Sequence, residues 1–290
     1  MNRATQLKVK VGTNPATRLS LLAPYDLELR LPECTVIVGR FSHGLLPKIR
    51  LLPSPADKGK IICSIGAFCE AADQVGIIVG GVHQHDKLFN LTFGPDRAPF
   101  WLSMTPRNQE LATIGPSDPV IIGDNVQLAY GATVVSGAET GDGSIIGARA
   151  LVTGKCGPIG VYGGVPAKRL RERFSGDLAA IYPQLRLGDI HAHQLPHLPL
   201  YLDELASGKL DLSAYLSKVS FLKRRPRLVM TARRREDSSV ELGSLVGYAM
   251  GDEAVTDPKA ITSLNAYFGQ LSSQAEEFDW SPDIFTALGV

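Results

Sequence analysis

The residues with the clearest chemical potential stand in the segment GGVHQHD, where His83 and His85 lie two apart and Asp86 follows. Two apart on an extended segment, both imidazoles face the same side. An imidazole with an ordinary pKa of about 6.5 is a competent base at neutral pH, and Asp86 or a backbone carbonyl could orient it. On these residues alone, a surface-loop histidine with a local hydrogen bond is the better account of His83. His191, His193 and His197 cluster in HAHQLPHL. Pro196 and Pro199 interrupt that group and no acidic ligand is near in sequence, so loop histidines account for it and no metal is expected. Lys168, Arg169, Arg171 and Arg173 form a short basic run, suited either to phosphate or to a solvated face. A second run, KRRPRLVMTARRRE (223–236), reads as a strand flanked by solvated arginines, with steering of an anionic acceptor as the alternative. Cys34, Cys63, Cys69 and Cys156 are spaced neither as a metal cage nor as a disulfide framework.

The elements that must position these groups are announced by a repeat. From Ile122, every sixth residue reads Ile122, Leu128, Val134, Thr140, Ile146, Val152. Four residues further on in each unit come Val126, Ala132, Ala138, Ser144, Ala150 and Cys156, all small or compact. A six-residue unit is a short strand plus a corner, and three units close one triangular coil of a prism. The aliphatic position fills the interior, the corner position must be small, and stacked coils bury one continuous core. A weaker upstream series, Ile65, Ala71 and Ile77 with Cys69, Val75 and Gly81 at the small position, has the same period in a register that does not join the first. An insertion over about 87–118 is expected to separate them. A sandwich would instead alternate with period two.

Composition sets the bounds. The 290 residues carry a formal net charge of +1 and 44% hydrophobic residues. That is an ordinary soluble balance, with no global reason to expect a nucleic-acid or membrane partner. No apolar run approaches the roughly 18 residues of a membrane span. The first 22 residues lack a signal-peptide core, so a cytoplasmic protein is expected.

Three blocks, IGAFCEAADQVGIIVGGVHQHD (65–86), PVIIGDNVQLAYGATVVSGAETGDGSIIGARALVTGK (119–155) and GVYGGVPAKRLRERF (160–174), together resemble the hexapeptide-repeat acyltransferases. Within them the likeness is to the xenobiotic branch of chloramphenicol and streptogramin acetyltransferases, and it covers about residues 36–175. The resemblance implies a mainly β fold: a left-handed parallel β-helix with an inserted loop and a partly helical C-terminal extension. It implies an acetyl-CoA-dependent O-acetyltransferase in which His83 is the catalytic base, with His85 and Asp86 as possible support. Coenzyme A would lie in a groove between prisms of a homotrimer. It would pass Tyr130 and Gly131 at the thioester end, then Ala148, Thr153 and Gly154 along the pantetheine arm, with Lys168 and Arg171 at the phosphates. Two departures stand out: Gln127 occupies a position where the family often has tryptophan, and VTGKCGPIG lacks an acid and a proline of the usual approach to the last coil.

The segment KLFNLTFGPDRAPFWLSMTPRNQELATIGPSDP (87–119) has no period of its own and is rich in aromatics. A loop this long is functional or disordered, and its aromatic content argues against disorder. In the resembling family such loops wall the acceptor pocket, which points to Phe89, Phe100 and Trp101. The domain plan expected is capping strands over 1–35, the β-helix over 36–168 and an extension over 169–290. Helical spacing appears in GDLAAIYPQL up to Pro183 and in YLDELASGKLDLSAYLSKV around Gly208. The expected acceptor is a sugar hydroxyl in a cell-surface glycan or its precursor, as in polysaccharide biosynthesis. Alternatives are an antibiotic hydroxyl, a nucleotide-linked amino sugar acetylated on nitrogen, or a non-catalytic β-helix scaffold.

Overall fold

In the computed structural model of the chain, the structure describes residues 25–81, 115–174, 176–191 and 194–247 in full. For 7–10, 248–250, 253–255 and 277–280 it describes the strand backbone. The protein is mainly β, with parallel sheets. After β1 (Leu7–Lys10) and β2 (Asp26–Arg30), a first coil holds β3 (Thr35–Val38) and β4 (Ile49–Leu52). The second coil holds β5 (Ile61–Ile65), β6 (Glu70–Ala71) and β7 (Gly76–Gly80). The third has β8 (Val120–Ile122), β9 (Gln127–Leu128) and β10 (Thr133–Val135), and the fourth β11 (Glu139–Thr140), β12 (Ile145–Ile146) and β13 (Leu151–Val152). A partial fifth coil, β14 (Lys155–Cys156) and β15 (Gly160–Gly163), ends in β16 (Lys168–Glu172), which turns back antiparallel on β15. Successive strands visit three sheets in turn: a first of β13-β10-β7-β4, a second running through β14-β11-β8-β5-β3, and a third of β16-β15-β12-β9-β6.

The six-residue series is the core. Ile122, Leu128, Val134, Thr140, Ile146 and Val152 are all buried, as are the six small positions from Val126 to Cys156. The upstream series joins in space what does not join in sequence, because Ile65 pairs with Ile122, Ala71 with Leu128 and Ile77 with Val134. The insertion therefore adds a loop between β7 and β8 without disturbing the stack. One expected small position is corrected: Gly81 is exposed, since the chain leaves the prism there, whereas Cys69 and Val75 are buried as the repeat requires.

Corners between the second and third sheets are tight enough to dictate residue type. A Cβ on Gly66 would lie 2.5 Å from the carbonyl carbon of Gly123 in the next coil. Beside that close approach a ladder of carboxylates caps exposed corner amides. Asp124 Oδ1 accepts the Ala67 N–H at 2.7 Å, and Asp142 Oδ1 accepts the Asp124 N–H at 2.8 Å.

Beyond β16 the chain forms short helices α1 (Asp177–Ile181), α2 (Leu198–Ala206) and α3 (Leu212–Lys218). Pro183 stands in a 3-10 turn directly after α1, and Gly208 separates α2 from α3 at φ +73°. These helices have their own small core around Tyr182, Ile190, Leu198 and Tyr215. Strand β17 (Pro226–Arg234) then pairs parallel with β2 and antiparallel with β18 (Val240–Met250), which carries β19 (Glu253–Val255) on its other side. The extension thereby lengthens the second sheet past the first coil and covers its open ladder edge. The last strand, β20 (Glu277–Trp280), pairs antiparallel with β1. The reading of 223–236 as solvated arginines holds for Arg233 and Arg235, which share Glu241 at the surface. It is corrected for Arg225, which bonds Asp124 and Asp189 together at the junction of prism and extension.

Candidate active site

The edge between the third and first sheets gathers most of the residues expected to meet the cofactor. Corner residues in left-handed conformation repeat along it: Gln74, Gly131, Arg149 and Gly164. The Gly131 N–H donates to the Asp73 carbonyl at 3.0 Å, and the Arg149 N–H to the Tyr130 carbonyl at 2.9 Å. Leu151 N–H reaches the Gly164 carbonyl and Ala167 N–H the Leu151 carbonyl, so the turn before Lys168 continues the same edge. Tyr130, Ala148 and Lys168 are all exposed on it. Coils stack about 4.8 Å apart, so the line from Tyr130 to Lys168 is roughly 10 Å long.

Three of the expected residues lie elsewhere. Thr153 and Gly154 are exposed on the neighbouring edge, between the first and second sheets. Arg171 sits opposite Val161 on β16, the edge strand of the third sheet, where its guanidinium bonds the Glu172 carbonyl. Arg169 pairs with Glu172, and Arg173 donates to the Gly143 carbonyl and stacks on Phe174. Of the basic run, only Lys168 belongs to the edge of Tyr130. Arg149, which the sequence reading did not single out, lies with its guanidinium 5.8 Å from the Tyr130 ring centroid. Nothing in the local sequence marked it, because its corner neighbours Gly131 and Gly164 are glycines and the repeat predicts only a tight turn.

His83, His85, Asp86, Phe89, Phe100 and Trp101 lie outside the described residues. What the structure does place is the root of the segment that carries them. The chain leaves the prism at Gly80, at φ +84°, where a Cβ would be 2.1 Å from the Leu52 carbonyl oxygen and 3.0 Å from Ser117 Oγ. Only glycine fits there. The Gly80 N–H donates to Ser136 Oγ at 2.5 Å and the Gly81 N–H to the Leu52 carbonyl at 2.9 Å. The returning end is held by Asp57, which is wholly buried in the corner after β4. Its Oδ1 accepts the Ser117 N–H at 2.7 Å, and its Oδ2 accepts the Ser117 hydroxyl at 2.7 Å and the Ser54 N–H at 2.6 Å. Burial alone would raise the Asp57 pKa, but these donors outweigh it and hold the carboxyl below its ordinary value. Both ends of the insertion thus emerge at one corner, on the edge that also carries Thr153 and Gly154.

The buried cysteines are not poised as nucleophiles. Burial pushes the thiols of Cys34, Cys63 and Cys69 up to about 12, so they stay protonated at neutral pH. No group of residues able to hold a metal occurs among the described residues.

A coil of six-residue units stacked through parallel strand pairs in three sheets, interrupted after β7 by an insertion whose sequence carries His83, defines a hexapeptide-repeat protein. No family model matches the chain. It is 33% identical over 172 residues to a chloramphenicol acetyltransferase of Agrobacterium fabrum (strain C58 / ATCC 33970), covering 56% of this chain and 78% of that one. It is 32% identical over 170 residues to a chloramphenicol acetyltransferase of Morganella morganii, covering 53% and 77%. Among solved structures it is similar to a maltose O-acetyltransferase from Clostridium difficile 630, at 22% identity and a TM-score of 0.29 over 40% of this chain and 55% of that one. At that score the solved structure does not bear on the substrate. The chain belongs to the acetyltransferases of the xenobiotic, chloramphenicol acetyltransferase-like branch.

Proposed function

We propose that the protein transfers an acetyl group from acetyl-CoA to an acceptor hydroxyl, with His83 as the base. The observation that supports this reading is the placing of the root: the segment bearing His83 leaves at Gly80–Gly81, on the edge of Thr153 and Gly154, one sheet face away from the exposed edge of Tyr130, Gly131, Ala148 and Lys168. A face three residues wide spans roughly 10 Å, so the root of that segment and the Tyr130 edge stand on the two sides of one sheet face. His83 takes the hydroxyl proton, the oxygen attacks the thioester carbonyl, and the thiol of coenzyme A leaves. Corner N–H groups are the available donors for the developing oxyanion. Gly154 suits a close ligand, because a Cβ there would meet nothing within 4 Å and neither packing nor its backbone requires glycine.

In this reading the prism is the left-handed one that the resemblance implies, and it is assembled as a homotrimer. Tyr130 and Thr153 stand on different edges, and one ligand meets both most simply when one edge of a prism lies against the other edge of its neighbour. A cyclic trimer makes that heterologous contact three times. In this reading 1–35 caps the β-helix of 36–168, 169–290 is an appended extension, and the protein works in the cytoplasm. Among the described residues no helix is long and apolar enough to cross a membrane.

Two acceptor classes remain in play. A sugar hydroxyl is the acceptor that the resemblance implies. The names of the two relatives, both chloramphenicol acetyltransferases, favour an antibiotic hydroxyl. A screen of thiol release from acetyl-CoA with chloramphenicol, simple sugars and nucleotide sugars decides between them. A His83→Ala protein turning over at the wild-type rate would remove His83 from the mechanism, and absence of thiol release with every acceptor would remove the reading as a whole.

A further inference from the structure

On the outer face of β3 and β5, away from the edges described above, lies an open cleft of about 380 Å³. Asp26, Ser64, Gly66 and the arginines Arg224, Arg225 and Arg227 line it. The volume is in the range of small-molecule sites, roughly 300–1,000 Å³. Its walls come from two parts of the chain, the corners of the first two coils and the segment leading into β17.

The hydrogen-bonding inventory here is unbalanced in one direction. Asp124 gives both oxygens to Arg225, and its Oδ1 also takes the Ala67 N–H. Asp189 gives Oδ1 to Arg225 and Oδ2 to Arg186. Glu28 gives Oε1 to Arg30 and Oε2 to Arg227. Asp26 Oδ1 is taken by the Arg40 N–H, not by its guanidinium. The carboxylates of Glu28, Asp124 and Asp189 are thus spent and Asp26 keeps only Oδ2, while more donors than that remain. Among the described residues Arg224 is exposed and makes no ion pair, and Nε of Arg227 is enclosed with no acceptor. Arg40, whose backbone N–H holds the Asp26 of the cleft wall, is wholly buried with Nε, Nη1 and Nη2 unpartnered among the described residues, its guanidinium resting 4.7 Å from the Phe41 ring centroid. Burial first, and then the charge of Arg225, lower its pKa to about 10, with Asp26 opposing them. A buried cation without an acceptor is costly, and an anion in front of it lowers that cost.

We propose that this cleft binds the phosphate group of a small molecule, with Arg224 as the direct donor, Arg225 and Arg227 held by their carboxylates in its wall, and Arg40 supplying a fixed positive field. Guanidinium suits phosphate because its planar fork donates to two oxygens at once. The inference does not depend on acetyl transfer.

The test is calorimetric titration of the full chain with inorganic phosphate and with glucose 1-phosphate, against sodium chloride at matched ionic strength. Wild type, Arg224→Ala and Lys168→Ala are compared. Arg224 is exposed, so its removal leaves the fold intact. Phosphate is expected to bind wild type and Lys168→Ala alike, and Arg224→Ala about tenfold or more weakly, the worth of one charge-assisted bond. Tighter binding of glucose 1-phosphate assigns the rest of the cleft to a sugar, and equal binding assigns it to the bare anion. The proposal is overturned if Arg224→Ala binds as wild type does, if Lys168→Ala loses the response, or if chloride reproduces it.

Discussion

Asp57 and Ser117 are 60 residues apart in sequence and meet through two 2.7 Å hydrogen bonds, the carboxylate taking both the N–H and the hydroxyl of the serine. The contact pins the returning end of the insertion to the first coil, next to where the outgoing end leaves at Gly80. Ser117→Ala is expected to raise the KM for the acceptor several-fold while that for acetyl-CoA stays unchanged. Asp57→Ala should destabilise the fold by roughly 1–3 kcal/mol, the cost of leaving buried donors unpaired. Steady-state kinetics with each substrate varied, and urea unfolding, check the two statements.

The same carboxylate gives a pH dependence. Because the folded pKa of Asp57 is depressed, its stabilisation is complete above the ordinary carboxylate pKa of about 3.9 and is lost as the pH falls through the lower folded value. Unfolding free energy measured from pH 6 to acid should therefore fall less steeply in Asp57→Asn than in wild type.

Thr140 occupies an interior position of the hexapeptide series, and its buried hydroxyl has no hydrogen-bond partner among the described residues. Thr140→Val keeps the shape and removes the unpaired group. It should raise stability by about 1 kcal/mol, visible as a higher thermal midpoint, and an unchanged or lower midpoint would show that the hydroxyl is satisfied in solution.

Two glycines separate folding from ligand contact. Gly66→Ala drives a Cβ to 2.5 Å from the backbone of Gly123 and should cost roughly 3 kcal/mol or more. Gly154→Ala meets nothing within 4 Å, so its thermal midpoint should match wild type while its KM for acetyl-CoA rises. Equal stability of the two variants would contradict the stacking geometry.

Lys168→Ala is expected to raise the KM for acetyl-CoA about three- to tenfold and to flatten its dependence on salt, since an exposed cation acting on a phosphate is screened within about 8–10 Å. Kinetics at low and high salt distinguish this from a change in folding.

The prism was legible in the sequence because its cause is local. A side chain every six residues must face inward, and small residues must stand at corners, so Ile122 through Val152 declared the coil before any contact was known. His83, by contrast, was one histidine in a loop until the resemblance of the surrounding blocks gave it a role. The joining of the two registers, Ile65 onto Ile122, was hidden, because the insertion changes the count along the chain but not the stacking in space. Asp57 carried no signal: its partner Ser117 is brought near only by one turn of the coil and the return of a long loop. Arg225 was misread as a solvated charge for the same reason, since Asp124 and Asp189 reach it only in the folded chain. Short-range periodicity determined the core, whereas the polar groups that clamp the insertion and build the arginine cleft were decided by tertiary structure. Hydrogen bonds and charges pair by distance in space, and no spacing along a sequence encodes that.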